Sequence, residues 1–316
     1  MTTLAAIEAA AARMAGHVRR TPILHAPLLD RLAGRRVLVK AECLQVTGSF
    51  KARGGWSAVS ALPPGAGVLA MSSGNHAQGV AWAAAAHGVP AVILMPSDAP
   101  AVKIANTRAH GAEVVLYDRA TEDRDALAAR LSAERGLTLV PPFDHPEVIA
   151  GQGTVGLEIA DEAAVERADV LVPCGGGGLS TGVAVALAAR APGLRVRTVE
   201  PAGFDDMARS LAAGKALRNP ATTGSVCDAI LTPEPGRLTL PVLQGLAGPG
   251  LAATDEQALR AVALAFTHLR VVAEPGGAVA LAAALFSPDL GDTVVCVLSG
   301  GNVDPGLFAQ TLARFA

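Results

Sequence analysis

An excess of charge of either sign is missing: 26 Lys and Arg stand against 28 Asp and Glu, a formal net charge of -2. Without a basic surface there is no electrostatic footprint for nucleic acid or anionic lipid, so a small-molecule partner is expected. Charged residues are scarce altogether, at 17%, while 51% of residues are apolar, so the chain is rich in interior. Yet no apolar run approaches the roughly eighteen residues of a membrane span. The longest one near the C-terminus covers residues 276–286. Residues 1–16 space Glu8 and Arg13 among Ala and Leu, with no basic leader followed by an apolar block, so they read as a surface helix and the protein as cytoplasmic. Cys43, Cys174, Cys227 and Cys296 form no Cys-x-x-Cys pair, which fits reduced thiols filling core positions.

What is present centres on Thr47-Gly48-Ser49-Phe50-Lys51-Ala52-Arg53-Gly54-Gly55-Trp56. Lys51 sits among small and hydroxyl residues just where helical periodicity begins. One reading is a solvated first-turn lysine, although a cation there opposes the helix dipole. The other is a buried amine whose lowered pKa makes it a nucleophile able to form a Schiff base.

Around this stretch, short apolar runs alternate with helical patterns. Strands are expected at 36–41, 68–71, 91–95, 113–117, 137–140, 169–173, 195–200 and 293–298. Helices are expected at 77–87, 101–110, 121–135, 154–163, 179–189, 255–269 and 277–286, with a last one from Pro305. Such alternation predicts an α/β protein with doubly wound parallel sheets, and the length suggests two domains. Pro141, Pro142, Gly151 and Gly153 interrupt the rhythm and suggest a loop and hinge before the helix at 154. Residues 219–250 read only as loops and short pieces.

Three further junctions carry chemistry. Ser72-Ser73-Gly74-Asn75-His76 follows a strand and opens a helix, where Ser72, Asn75 and the backbone at His76 suit a carboxylate. Simple N-capping explains the same residues. Gly175, Gly176, Gly177 and Gly178, followed by Leu179, join the next strand and helix. Four glycines are entropically costly unless a ligand, most naturally a phosphate, approaches the backbone. A nicotinamide dinucleotide site is the competing reading, with Glu200 near the place of a ribose-binding acid, but Ser180 or Thr181 falls where the third fingerprint glycine belongs. Leu298-Ser299-Gly300-Gly301-Asn302 closes the last strand, and Ser299 suits either a ring nitrogen or a helix cap. Glu274 is open between capping and the edge of a site.

In that order the four motifs resemble the serine/threonine dehydratase and serine racemase family, pyridoxal-phosphate enzymes of the tryptophan synthase β-subunit fold. The resemblance spans nearly the whole chain. It implies that Lys51 carries the cofactor, with Phe50 beside it, Asn75 at the ring hydroxyl, the 175–178 run and Leu179 at the phosphate, and Ser299 at the pyridine nitrogen. Ser72, Ser73, Asn75 and His76 would hold the substrate, joined by Arg124, which falls where racemases carry a closing arginine. The implied reaction is elimination of water from a hydroxyamino acid such as threonine or serine, giving a 2-oxo acid and ammonia. Alternatives within the family are threo-3-hydroxyaspartate dehydratase and serine racemase; a NAD-dependent dehydrogenase lies outside it. Ser73 stands where many threonine dehydratases have alanine, and a second acid there would permit racemisation. Ser57 and Ala229 also depart from the family pattern.

The stretch Glu200-Pro201-Ala202-Gly203-Phe204-Asp205-Asp206 is similar to the family's divalent-cation site, with Glu200, the Phe204 carbonyl and Asp206 as ligands for Mg²⁺ or Ca²⁺. By the same resemblance a small mobile domain, 67–136, closes over a larger one made of 1–66 and 137–316. A homodimer is expected, and an appended regulatory domain is not.

Overall fold

The computed structural model describes residues 2–99 and 101–316. Ten strands are formed: β1 (Ile23–His25), β2 (Arg36–Lys40), β3 (Gly67–Met71), β4 (Ala91–Pro96), β5 (Glu113–Tyr117), β6 (Leu137–Leu139), β7 (Ala168–Pro173), β8 (Leu194–Pro201), β9 (Leu251–Ala253) and β10 (Thr293–Val297). They make two sheets. The larger runs β1-β2-β10-β7-β8-β9 and the smaller β5-β4-β3-β6. Every pairing is parallel except β1 with β2, so the expected doubly wound α/β architecture is what the chain forms. The strands are short because both faces are covered by helices, which also explains why they read as unbroken apolar runs.

β6 pairs with β3, so the small sheet runs on to Leu139, past the expected boundary at 136/137. The short antiparallel strand β1, the strand β9, and the helices Pro27–Ala33 and Thr239–Leu246 were not legible in the periodicity. Three-residue edge strands and two-turn helices carry too few positions to establish a period.

The larger departure concerns Gly151 and Gly153, which lie inside one continuous helix, Pro146–Glu162, and form no hinge loop. Glycine normally weakens a helix interior. Here close packing requires it: a Cβ on Gly151 would stand 2.4 Å from the Arg53 carbonyl oxygen, and one on Gly156 would stand 2.9 Å from the Val183 backbone. Helix Pro146–Glu162 is thereby pressed between helix Lys51–Ser60 and helix Gly178–Arg190. The same device joins the two layers, since a Cβ on Gly55 would meet the Gly79 backbone at 2.6 Å.

Adjacent strands deliver the candidate residues to one edge. The chain leaving β2 leads to Lys51, β10 is followed by Ser299, and β7 by the glycine run, while β3 in the small sheet is followed by Ser72. These are the carboxyl ends of parallel strands, where ligands gather in open α/β folds.

Candidate active site

Lys51 is the first residue of its helix, and its Nζ donates to the Pro142 carbonyl at 2.7 Å. Burial pushes its pKa down to about 8, opposed by the negative charge of Glu274. The amine therefore spends a useful fraction of its time neutral near physiological pH. The Phe50 ring centroid lies 5.1 Å from Nζ. The loop before Lys51 is pinned to the loop after β10: Phe50 N–H donates to the Ser299 carbonyl at 3.1 Å and Gly301 N–H to the Gly48 carbonyl at 2.8 Å. Gly48 adopts φ +73 and a Cβ there would meet the Asn302 side chain at 2.5 Å, so only glycine suits the position. Ser299 is buried, with its backbone N–H on the Gly277 carbonyl.

The glycine run opens helix Gly178–Arg190, whose first-turn amides lack helical acceptors. Protein neighbours account for three of the four glycines. A Cβ on Gly176 would enter the Phe143 ring at 2.2 Å; Gly177, at φ +92, abuts Met207 and Thr239; Gly178 abuts Gln152 and Phe143. Gly175 is roomier, with its nearest neighbour at 3.3 Å. Packing and ligand access together, not ligand access alone, thus explain the run. Leu179 is buried beneath it.

Across the cleft, Ser72 Oγ accepts from Gly74 N–H at 3.1 Å, and Ser73 is half-buried in the same turn. Asn75 links the layers. Its Nδ2 donates to Glu274 Oε1 at 2.6 Å, and its Oδ1 accepts from Asn302 Nδ2 at 2.7 Å. One N–H of the Asn75 amide remains for another acceptor. Burial lifts the Glu274 carboxyl to about 7, against the lowering effect of the Asn75 hydrogen bond. Glu274 thus belongs to the site's edge; it stands at the N-cap of helix Pro275–Phe286 without a side-chain capping bond. His76 is buried with Nε2 on the Val140 carbonyl at 2.8 Å, and burial, reinforced by the Lys51 charge, lowers its pKa to about 3. It is neutral, so its imidazole offers no charge to a carboxylate, leaving its backbone N–H as the available donor.

The family model for "Pyridoxal-phosphate dependent enzyme" matches residues 14–300. The chain belongs to this pyridoxal-phosphate-dependent family. It is 40% identical to an L-threo-3-hydroxyaspartate ammonia-lyase of Pseudomonas sp over 96% of either sequence. It is 38% identical to a serine racemase of Oryza sativa subsp. indica, over 98% of this chain and 93% of the relative. Among solved structures, a T.th. threonine deaminase superposes with a TM-score of 0.91 at 47% identity, covering 96% of this chain and 99% of that one.

The residues present fit the family's cofactor. Ser49 Oγ, His76 Nδ1 and Gln152 Oε1 are buried without a partner around the Lys51 junction, and unsatisfied polar atoms of this kind mark a place built for a ligand. A lysine amine, an anion-ready helix terminus and a free serine beside β10 complete the set. The dinucleotide reading fails: the matching family is pyridoxal-phosphate-dependent, and Glu200 is fully buried, its oxygens accepting from Met207 N–H at 2.9 Å and Ala208 N–H at 2.7 Å.

Two expected residues stand apart. Arg124 begins helix Arg124–Arg135, is exposed, and lies 3.1 Å from Asp125 of its own turn, so it is not among the residues gathered at the cleft. Glu200 and Asp206 are buried near each other, but among the described residues there is no group of three His, Cys, Asp or Glu able to hold a metal. Glu200 instead caps helix Asp206–Ala213, and Asp206 Oδ1 accepts from Asn219 at 2.6 Å. Ser57, the departure noted after Trp56, accepts from Arg13 and donates to Glu147 at 3.0 Å.

One cluster beneath the site had no sequence signal. Arg53, two residues after Lys51 and fully buried, donates to both Glu42 oxygens at 2.8 Å and to Glu158 at 2.6 and 2.9 Å. Lys40, also fully buried, reaches Glu158 at 2.6 Å. Arg53 and Glu158 are 105 residues apart in sequence and Lys40 is farther still from Glu158, which is why only the fold brings them together.

Proposed function

We propose that the chain is a pyridoxal-phosphate-dependent hydroxyamino-acid ammonia-lyase that converts a β-hydroxy amino acid into a 2-oxo acid and ammonia. The observation that carries this reading is the Lys51 amine, its pKa lowered to about 8, held between a glycine-rich helix terminus and the Ser72–Asn75 turn. The names of the relatives, an ammonia-lyase and a threonine deaminase, support the reaction class.

Bound here, the cofactor supplies an electron sink for the pair released when the substrate Cα–H bond breaks. Lys51 would hold the cofactor through its amine and, when that amine is free, would take the α-proton as general base. The amides of the 175–178 run and Leu179 would hold the phosphate, Ser299 would meet the pyridine nitrogen, and Phe50 would lie beside the ring. Asn75 would offer its remaining N–H to the ring hydroxyl. Ser72 and the His76 backbone would hold the substrate carboxylate. Hydroxide leaves Cβ as water with the proton taken from Cα, a Cα–Cβ double bond forms, Cβ then takes a proton from water, and water adding at Cα releases ammonia, so the net change is substrate to 2-oxo acid plus ammonia.

Serine racemisation is the second reading, favoured by Ser73, whose half-buried hydroxyl in the substrate turn would supply the second acid. A divalent cation, Mg²⁺ or Ca²⁺, would meet Glu200, Asp206 and the Phe204 carbonyl; Asp206 Oδ2 is buried without a partner, which suits such an ion. A thermal shift with Ca²⁺ that EDTA reverses and Asp206→Asn abolishes tests it. A cytoplasmic homodimer is the expected setting, checked for assembly by light scattering.

The decisive experiment is reconstitution with pyridoxal phosphate. A visible absorption band that Lys51→Ala removes is expected, and a colourless wild type overturns the assignment. A panel of L- and D-serine, threonine, 3-hydroxyaspartate and phenylserine, scored for ammonia and for inversion, then identifies the substrate. Ser73→Ala is expected to abolish inversion while ammonia release persists.

A further inference from the structure

The turn assigned to the substrate and the lysine assigned to the cofactor belong to different layers: residues 72–76 follow β3 of the small sheet, while Lys51 and the glycine run belong to the layer of the large one. How the layers sit therefore sets the distance between a bound carboxylate and the Lys51 amine. Among the described residues a single ion pair joins them. Lys103, half-buried on helix Ala101–Ala109, places Nζ 3.1 Å from Asp228 Oδ2. The other ion pairs of the small-sheet layer, Arg119 with Asp98, Arg124 with Asp125 and Arg135 with Glu113, stay within it.

Asp228 has a particular address. It opens the short turn Asp228–Ile230, whose following residues line the cleft: a Cβ on Gly276 would stand 3.5 Å from Ala229, and one on Gly175 would stand 3.3 Å from the Ile230 carbonyl. The turn thus spans the opening between the start of the Glu274 helix and the glycine run. Glu274, whose carboxyl is raised first by its burial, also feels Asp228 raising and Lys103 lowering it, so both charges lie near the cleft.

We propose that Lys103 and Asp228 are positioning residues, a clasp at the rim that holds the 72–76 turn over Lys51 when the two layers close on an amino acid. This rests on the reading above that Ser72, Asn75 and the His76 amide take the substrate carboxylate. Their side chains are 30% and 67% exposed, and a pair so solvated shifts an equilibrium by about five-fold at most. That is too little to hold a fold together. It is enough to bias how the layers sit across the Gly55 and Gly79 contact, where Asn75 also bonds to Glu274 and Asn302. A solvated clasp is also weakened by salt, which screens it over about 10 Å at 0.1 M.

The test uses the holoenzyme and four variants: Lys103→Met, Asp228→Asn, their combination, and the reversed pair Lys103→Asp with Asp228→Lys. Each single variant is expected to raise KM for the amino acid by about two- to five-fold with kcat within two-fold. The combination should match the singles, because either change opens the same clasp. The reversed pair should recover most of the loss, and the rise of KM with salt expected of wild type should be absent in the singles. Hydrogen exchange across residues 72–76 gives a readout that needs no turnover, faster in the singles and restored in the reversed pair. Unchanged KM and unchanged exchange in the singles, or additive losses that the reversed pair does not recover, overturn the clasp. A wild type without the cofactor band fails the functional reading instead, while hydrogen exchange still decides the clasp.

Discussion

Both sides of the cleft carry exposed ion pairs, but among the described residues only the side that carries Lys51 also buries a cluster of charges, and the side that carries Ser72 does not. Beneath Lys51, Arg53, Glu42, Glu158 and Lys40 are buried and bonded to one another. On the small-sheet side, Arg119, Arg124 and Arg135 pair with acids in the open, each with 42% or more of its side chain exposed. A buried cluster is costly to break because a lost partner strands a charge in a low dielectric. An exposed pair exchanges for water at almost no cost. The contrast sets a half with a set of charges locked together by burial against a half whose charges exchange freely with water.

The comparison breaks most severely at its centre. Lys51→Ala removes both the proposed anchor of the cofactor and the proposed base, so kcat/KM is expected to fall by about 10⁴-fold or more. Residual turnover within a hundred-fold of wild type would mean that another group takes the α-proton. One step below, Arg53→Met leaves Glu42 and Glu158 buried beside too few donors, and urea unfolding is expected to lose about 3–5 kcal/mol. A loss under about 1 kcal/mol would show that the cluster does not brace this half.

Packing and protonation sharpen the contrast further. Gly151→Ala forces a methyl to within 2.4 Å of the Arg53 carbonyl, and overpacking of this kind should cost about 1–3 kcal/mol. Glu274 tests the seam between the halves. Its carboxyl pKa is raised to about 7 when folded, above its unfolded value, so the folded state holds the proton more tightly. Between about pH 4.5 and 7 the cofactor-free protein should therefore lose stability as pH rises, by up to about 1 kcal/mol per unit. Glu274→Gln should flatten that slope in urea titrations at pH 5 and 7, and an equal slope in both proteins would remove Glu274 as its source.

Which of these features could be read in advance follows from how far apart their causes lie. The alternation of strands and helices was legible because a doubly covered parallel strand must be a short apolar run. Lys51, Ser72, Asn75, the glycine run and Ser299 stood out because each lies near a strand-to-helix junction, yet locally solvation or capping explained Lys51, Ser72, Asn75 and Ser299 as well, and it was the order of the four motifs that singled them out. Gly151 and Gly153 misled because glycine usually breaks helices, whereas their necessity comes from Arg53, Ile7 and Gly182, remote in sequence. Phe143 over Gly176 and Asn302 against Asn75 escaped for the same reason. Arg53, Glu42 and Glu158 look like ordinary surface charges in the chain, and only the close approach of three helices buries them. Glu200 carried local signal for two roles at once, and its bonds to the amides of Met207 and Ala208 decide against ribose.

The smallest expected effect belongs to Arg124, and it probes the small-sheet side most directly. Exposed and paired with adjacent Asp125, it has little to lose, so Arg124→Ala should leave stability within about 0.5 kcal/mol of wild type. Where the helix stands, the guanidinium is directed to its own turn, and KM should stay within two-fold. The informative departure would be a KM raised ten-fold with stability unchanged. That outcome would mean that closure of the small-sheet layer carries helix Arg124–Arg135 far enough for Arg124 to exchange Asp125 for the substrate carboxylate. The exposed pairs of this side would then be reserves of charge that motion brings into use, in contrast to the fixed charges under Lys51.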